Sequence, residues 1–274
     1  MEAYRSKFRV AKMAKVLGVS KSGFYSYLNR PQSRRAIANG CLLEQIRMIH
    51  KKSRGIYGSP RIASELADHG APSRNRVARI MRENGLRAKT VKKYRATTNS
   101  KHNLPVAENL LNQDFRADLP NQKWVSDITY VWTEEGWLYL AGVMDLYNRA
   151  IVGFSMATHM KTELVSQALS QAIRRTRATK GLLIHSDRGV QYASKVYQKL
   201  LTNHGFICSM SRKGNCYDNA PMESFWGKLK QEWLYDQRFQ TRAEARAAIF
   251  EYIEIFYNRQ RRHSYRGYQA PLAA

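Results

Sequence analysis

Apolar residues recur at helical spacing over the first third of the chain and at strand spacing from Lys123 onward. In residues 8–29, Ala11, Ala14 and Leu17 share a face and Gly18 interrupts it. Ser20 is placed to cap a second helix with Phe24, Tyr25 and Leu28 on its apolar side. This order fits a short helix-turn-helix over 1–32, and a plain helical hairpin is also compatible with it. Pro31 ends the unit, and a second helical region follows over 38–86. There Leu42, Leu43, Ile46 and Ile49 form one stripe, and Gly55, Gly58 and Pro60 break it. Ile62 and Leu66 begin a helix that stops near Gly70, and Ser73 caps a third carrying Val77, Ile80 and Met81. Residues 87–118 show no clear periodicity and read as a basic linker with Lys89, Lys92, Lys93 and Arg95.

From Lys123 the pattern changes. Residues 123–132 alternate and favour a strand. Trp137 to Met144 and Ala150 to Met156 are two more, with Asn148-Arg149 fitting the turn between them. Thr162 opens an amphipathic helix with Val165, Leu169 and Ile173 four apart. Leu182 to Ile184 is a short buried strand, Val196 to Leu201 a helix, and Phe206-Ile207 a last strand. These elements predict an α/β core over 119–235, a mixed five-stranded sheet with flanking helices, preceded by an all-α region. A C-terminal helix and basic tail occupy 236–274. Thr241 and Glu244 form a capping box for that helix, which buries Ile249, Tyr252, Ile253 and Phe256.

Charge adds a partner class. The 274 residues hold 46 Lys and Arg against 21 Asp and Glu, a net of +25. Residues 1–100 carry 23 basic and 5 acidic residues, so most of the excess lies in the predicted helical part. A strongly positive front half points to a polyanion, DNA or RNA. Arg74, Arg76, Arg79 and Arg82 crowd the polar side of the helix after Ser73, suited to phosphate and groove contacts, and Lys21 with Lys12 and Lys15 surrounds the first turn. Three cysteines, Cys41, Cys208 and Cys216, show no CxxC pairing. His204 beside the last two has no second ligand pair for a zinc site. A reduced cytoplasmic compartment is the default. The N-terminus lacks an apolar signal core, and no run approaches eighteen apolar residues, so no membrane contact is expected.

Three acids then stand out by placement. Asp127 falls inside the first strand, between Val125 and Ile128, where an unpaired carboxylate is costly. Asp187 follows the short buried strand at its carboxyl end, where α/β sheets present ligand sites. Glu223 sits early in a helix on a face shared with Asn219, Trp226 and Lys230, and Asn219 and Lys230 are expected to contact DNA beside it. Spacing carries no weight here, because 21 acids generate such separations by chance. Asp145, at the end of the second strand, is a rival, and each acid could instead be a surface or ion-pair group. Together the three suit a pair of hard divalent cations, two Mg²⁺ or Mn²⁺, acting on a phosphodiester. A covalent route through Tyr192 or Ser186 lacks the surrounding arginines and histidines that such a nucleophile needs. His185 reads as orienting the Asp187 turn. The loop Ser211–Asn215, with Arg212 and Lys213, is expected to touch DNA.

Several stretches resemble one known family. WVSDITY (124–130), EEGWLYLAGVMDLYNRAIVGFS (134–155), HSDRGVQY (185–192), SMSRKGNCYDNAPMESFWGKLK (209–230) and YNRQRRHSYRGYQAP (257–271) are similar to the transposases of insertion-sequence family three, second reading frame. The resemblance runs nearly end to end. It implies an RNase H-like integrase core in which Asp127, Asp187 and Glu223 match the two aspartates and the glutamate of the family's metal site. It makes Lys230 the basic residue seven positions after that glutamate, and 42–95 a helix-turn-helix segment ahead of the core. The expected activity is metal-dependent cleavage and strand transfer of double-stranded DNA, at element ends and target, by more than one copy on the DNA. The chain starts at Met1 without a sustained heptad pattern, so it is expected to be the downstream product, with an upstream-frame (OrfA) protein or fusion as partner. Two other readings of the same residues are a nuclease that only hydrolyses and a DNA-binding regulator.

Overall fold

A computed structural model describes residues 1–67, 70, 72–89, 105–213 and 215–273. By its internal contacts the chain divides into two units, Met1–Arg87 and Ala88–Ala274.

The first unit is helical. α1 (Val10–Val16) and α2 (Lys21–Leu28) flank a turn at Gly18, whose φ of +64° is a conformation that glycine adopts without strain. The Ser20 hydroxyl caps α2 by accepting from the Gly23 amide at 2.9 Å. The pair buries little, chiefly Ala14 and Phe24. α3 (Arg34–Lys52) is longer than its apolar stripe suggested and begins at a Ser33 cap. It packs with α4 (Ser59–Glu65) and α5 (Arg74–Glu83) around Ile46, Ile62, Leu66, Val77 and Ile80. Ser73 caps α5 as expected, accepting from Arg76 N at 3.3 Å.

The second unit is built on one mixed sheet. β1 (Lys123–Thr133), β2 (Gly136–Asp145) and β3 (Ile151–Ala157) form an antiparallel meander. β4 (Leu183–Ser186) and β5 (Ile207–Met210) add parallel to β1, giving the order β3-β2-β1-β4-β5. α6 (Thr162–Thr176) lies against β2 and β3, where Gly153 allows contact. A Cβ there would stand 2.3 Å from the Ala168 carbonyl oxygen. α7 (Val190–Ala193) and α8 (Lys195–His204) complete that layer over a core of Trp124, Val143, Leu169, Ile184 and Tyr197. α9 (Ala220–Leu229) and α10 (Arg242–Phe250) pack on β1 and β2, and each runs on into a wider π-helical turn, Lys230–Leu234 and Glu251–Tyr257. Thr241 caps α10 by accepting from Glu244 N at 3.2 Å, and the Glu244 carboxylate reaches back to Gln240 N, one residue before the cap, at 2.9 Å.

Two segments differ from the sequence expectation. Residues 105–118, read as linker, are docked on the sheet unit. Leu111 is buried, the Leu110 and Leu111 amides donate to Ser209 Oγ, and Arg149 donates to the Phe115 carbonyl at 2.8 Å. Lys92, Lys93 and Arg95 lie outside the described residues. The segment after 236 is integral to the same core. Asn258 bonds both the amide and the carbonyl of Ile151, at 3.0 and 2.9 Å. Arg261, 1% exposed, forks onto Glu232 at 2.7 and 2.5 Å.

Candidate metal and nucleic-acid site

β1 places Asp127 opposite Gly142 of β2. The absence of a side chain at Gly142 lets α9 come close, since a Cβ there would meet Trp226 Cη2 at 2.8 Å and Met222 Cε at 3.1 Å. The Trp226 indole N–H then donates to Asp127 Oδ2 at 3.1 Å. A glycine on the neighbouring strand therefore creates the space through which a helix reaches the acid.

Asp187 follows β4 directly, and its Oδ1 accepts from Gly189 N at 2.9 Å, closing a tight turn. Glu223 lies in the first turn of α9 and reaches the surface. Burial raises the Asp127 carboxyl well above the usual aspartate range. The negative charges of Asp187 and then Glu223 push the same way, and bonds from the Ile128 amide and the Trp226 indole oppose them. Partial burial raises Glu223 as well. Among the described residues, no three His, Cys, Asp or Glu side chains are gathered closely enough to hold a metal ion. The donor chemistry nevertheless fits a divalent cation. Hard carboxylate oxygens repel one another around a shielded Asp127, and a positive charge would relieve that repulsion.

The residues behind these acids are fully bonded. Tyr192 is 0% exposed, and its hydroxyl lies 3.0 Å from Ser126 Oγ, which donates to the Gly142 carbonyl. A hydroxyl buried there is in no position to act as a surface nucleophile. His185 bridges Ser209 and Ser211 through its two ring nitrogens at 2.8 and 3.0 Å. Ser209 Oγ already accepts two amides and Ser211 Oγ donates to the Ser186 carbonyl. This pattern makes Ser209 the donor to Nδ1 and leaves the proton on Nε2. Burial lowers the imidazole to about 4, so a neutral ring clamps the ends of β4 and β5 beneath Asp187.

Several residues expected at the DNA surface are placed elsewhere. Asn219 is buried at the start of α9, and its amide donates to the Ser126 carbonyl at 3.0 Å, tying the helix to β1. Lys230 is 6% exposed, with Nζ 5.1 Å from the centroid of the Tyr130 ring. Burial lowers its ammonium to about 8, and the charge of Asp127 opposes that shift. Arg212 is half-exposed and clasped by Asp218, whose carboxylate accepts from the Arg212 amide and guanidinium and from Asn109 and Gln113. Those donors hold the Asp218 carboxyl far below the usual range, the Arg212 guanidinium foremost. Lys213 is exposed. In the helical unit Lys21, Arg74 and Arg82 are exposed, whereas Arg76 bonds Asn39 and Arg79 bonds Glu83. Asp145 is buried in its own turn, accepting from Asn121 N and Tyr147 N, which accounts for it structurally.

Sequence reasoning found Trp226 only as a face neighbour of Glu223. Gly142 and Asp218 carried no local signal, because their partners lie on other elements.

Comparison with known proteins identifies the family of the chain. Residues 117–216 and 204–271 match two models of an integrase core domain, and 38–94 match an HTH-like domain. The chain is 52% identical over 262 residues to the insertion element IS600 uncharacterized 31 kDa protein of Shigella sonnei, covering 95% of this chain and 96% of that one. It is 42% identical over 275 residues to transposase InsF for insertion sequence IS3A of Escherichia coli (strain K12), covering 99% and 95%. An integrase core of this kind is that of a polynucleotidyl transferase. At that identity over nearly its full length, the chain belongs to the IS3 family of insertion-sequence transposases.

Proposed function

We propose that Asp127, Asp187 and Glu223 are the catalytic acids of this transposase, and that they act on the DNA ends of its element. The observation that supports this reading is placement: Asp187 follows β4 beside Asp127 of β1, and Glu223 stands on α9, the helix that packs on β1 and bonds Asp127 through Trp226. Two divalent cations, Mg²⁺ or Mn²⁺, held by these oxygens would stabilise charge on the phosphoryl group. In the reaction, water attacks the phosphodiester at the element's end and releases a 3′-hydroxyl. That hydroxyl then displaces the 3′-oxygen of a second phosphodiester, so one bond forms as another breaks.

The chain's own groups have supporting tasks. Trp226 fixes one oxygen of Asp127. The neutral His185 braces the strand end that presents Asp187. Lys230 keeps a buried positive charge within reach of Asp127's field and can offset negative charge gathering there. Lys21, Arg74, Arg82 and Lys213 are the exposed cations suited to the phosphate backbone. The partner is double-stranded DNA, with an upstream-frame protein supplying further end recognition and more than one copy acting on the DNA. The helical region 1–87 serves as the DNA grip.

The test is a strand-transfer assay with a precut duplex end and Mg²⁺. A joined product is expected. Hydrolysis without joining identifies a nuclease, and binding without either identifies a regulator.

A further inference from the structure

The far end of the β1–β2 hairpin exposes an unusual amount of aromatic surface. Trp132 is 54% exposed, Trp137 43% and Tyr235 58%. Trp132 and Trp137 face each other across the hairpin register. Trp137 meets Tyr130 and Trp132 edge to face, with centroids 4.9 and 4.8 Å apart, which holds the rings in fixed orientations. These rings and Tyr235 line a cavity of about 470 Å³. That volume lies within the roughly 300–1,000 Å³ of small-ligand pockets.

Cations border the same cavity. Lys230 forms part of its wall, over the Tyr130 ring. Arg238 lies at the rim, 82% exposed, and bonds Glu134 at 2.7 Å. Lys230 directly follows α9, the helix that carries Glu223, and Tyr130 lies on β1 three residues beyond Asp127. The cavity therefore borders the strand and the helix that hold two of the acids. Fixed aromatic faces with cations beside them are what a single nucleic-acid strand requires, because each base offers a π-face and each linkage a negative charge. A paired duplex keeps those faces stacked inside it, so only an unpaired base can enter.

We propose that this cavity holds an unpaired nucleobase of the DNA strand being processed. The base stacks on the Trp132, Trp137 and Tyr235 rings, with Lys230 and Arg238 beside its backbone. Capture of that base would hold the DNA end open next to Asp127. This inference rests on the transposase reading of the acid site.

Fluorescence anisotropy of the full chain with labelled single-stranded oligothymidylate, and with a blunt duplex of equal length, tests it without divalent cation. Trp132→Ala is expected to weaken single-strand binding about tenfold and leave duplex binding unchanged. Trp132→Phe keeps a ring and should retain most of the affinity, and Tyr235→Ala should repeat the loss. Thermal melting checks that each variant is folded. In strand transfer, a terminus already mismatched at its last pairs should restore joining to Trp132→Ala. Unchanged single-strand affinity, an equal loss on duplex, or a changed sedimentation coefficient marking the rings as a protein contact would each overturn the proposal. If the wild type binds single strands through Trp132 yet neither cleaves nor joins, the acid-site reading fails and the cavity stands. If it joins DNA while Trp132→Ala binds single strands normally, only the cavity proposal fails.

Discussion

Asp127 on β1 and Asp187 just past the end of the parallel neighbour β4 are each two residues beyond their member of the Val125–His185 pair. Strands in a sheet lie about 4.8 Å apart, so this placement sets two acids close together at one end of β4. The proximity has a cost for the unliganded fold and a use for a bound cation.

That cost gives the first prediction. The folded Asp127 carboxyl is raised above its unfolded value of about 3.9. Stability is therefore lost as pH climbs from that unfolded value toward the folded one. Asp127→Asn removes the penalty. In EDTA its Tm should exceed that of the wild type by on the order of 3 °C, and added Mg²⁺ should raise Tm only in the wild type. Strand cleavage by the variant should fall to background while DNA binding persists. Surviving cleavage in a gel assay would remove Asp127 from the chemistry.

Gly142→Ala should unseat the helix that reaches Asp127. The added methyl stands 2.8 Å from the Trp226 ring in a packed layer. A loss of about 1–3 kcal/mol in urea unfolding is expected, together with reduced cleavage. Trp226→Phe, which removes the indole N–H together with part of the buried ring, should cut cleavage about tenfold at a stability cost of about 1–2 kcal/mol. If both variants cleave normally, the support given to Asp127 by α9 is dispensable.

Asp218 should govern acid stability. Its carboxyl is depressed in the folded state, so its contribution is complete above the unfolded value near pH 3.9 and fades as pH falls below it. Asp218→Asn should cost about 2 kcal/mol at pH 7 and flatten the stability curve below about pH 4. Denaturant melts at pH 3 and pH 7 measure both effects. Parallel curves for the two proteins would count against the clasp.

Exposed cations of the helical unit should bind DNA through phosphates. Arg74→Ala with Arg82→Ala should weaken binding to all sequences alike and lower the slope of log K against log salt by about 0.9 for each contact removed. A sequence-selective loss at constant slope would point to base contacts instead.

Much of this protein was legible from its chain. The alternation over 123–132, the helical stripe of Val165, Leu169 and Ile173, and the caps at Ser20, Ser73 and Thr241 are all local properties. They depend on backbone geometry within a few residues, so a sequence displays them directly. Asp127 stands out for a related reason, since a carboxylate inside an apolar strand is expensive, whereas Asp187 and Glu223 are candidates by their place at a strand end and on a helix face.

Other features required the tertiary fold. Asn219 and Lys230 look like polar surface residues, yet one ties α9 to β1 and the other lies buried over Tyr130. The stretch 105–118 has no periodicity because side-chain bonds to Ser209 and Asp218, about a hundred residues away, hold it in place. The tail joins the core through Asn258 and Arg261, whose partners Ile151 and Glu232 lie 107 and 29 residues away in the chain. Sequence alone determined which elements form and marked the three acids as candidates for the chemistry. Which polar groups are buried, and what each one bonds, was decided by long-range packing, because the energy of a buried polar group depends on the partner that folding brings to it.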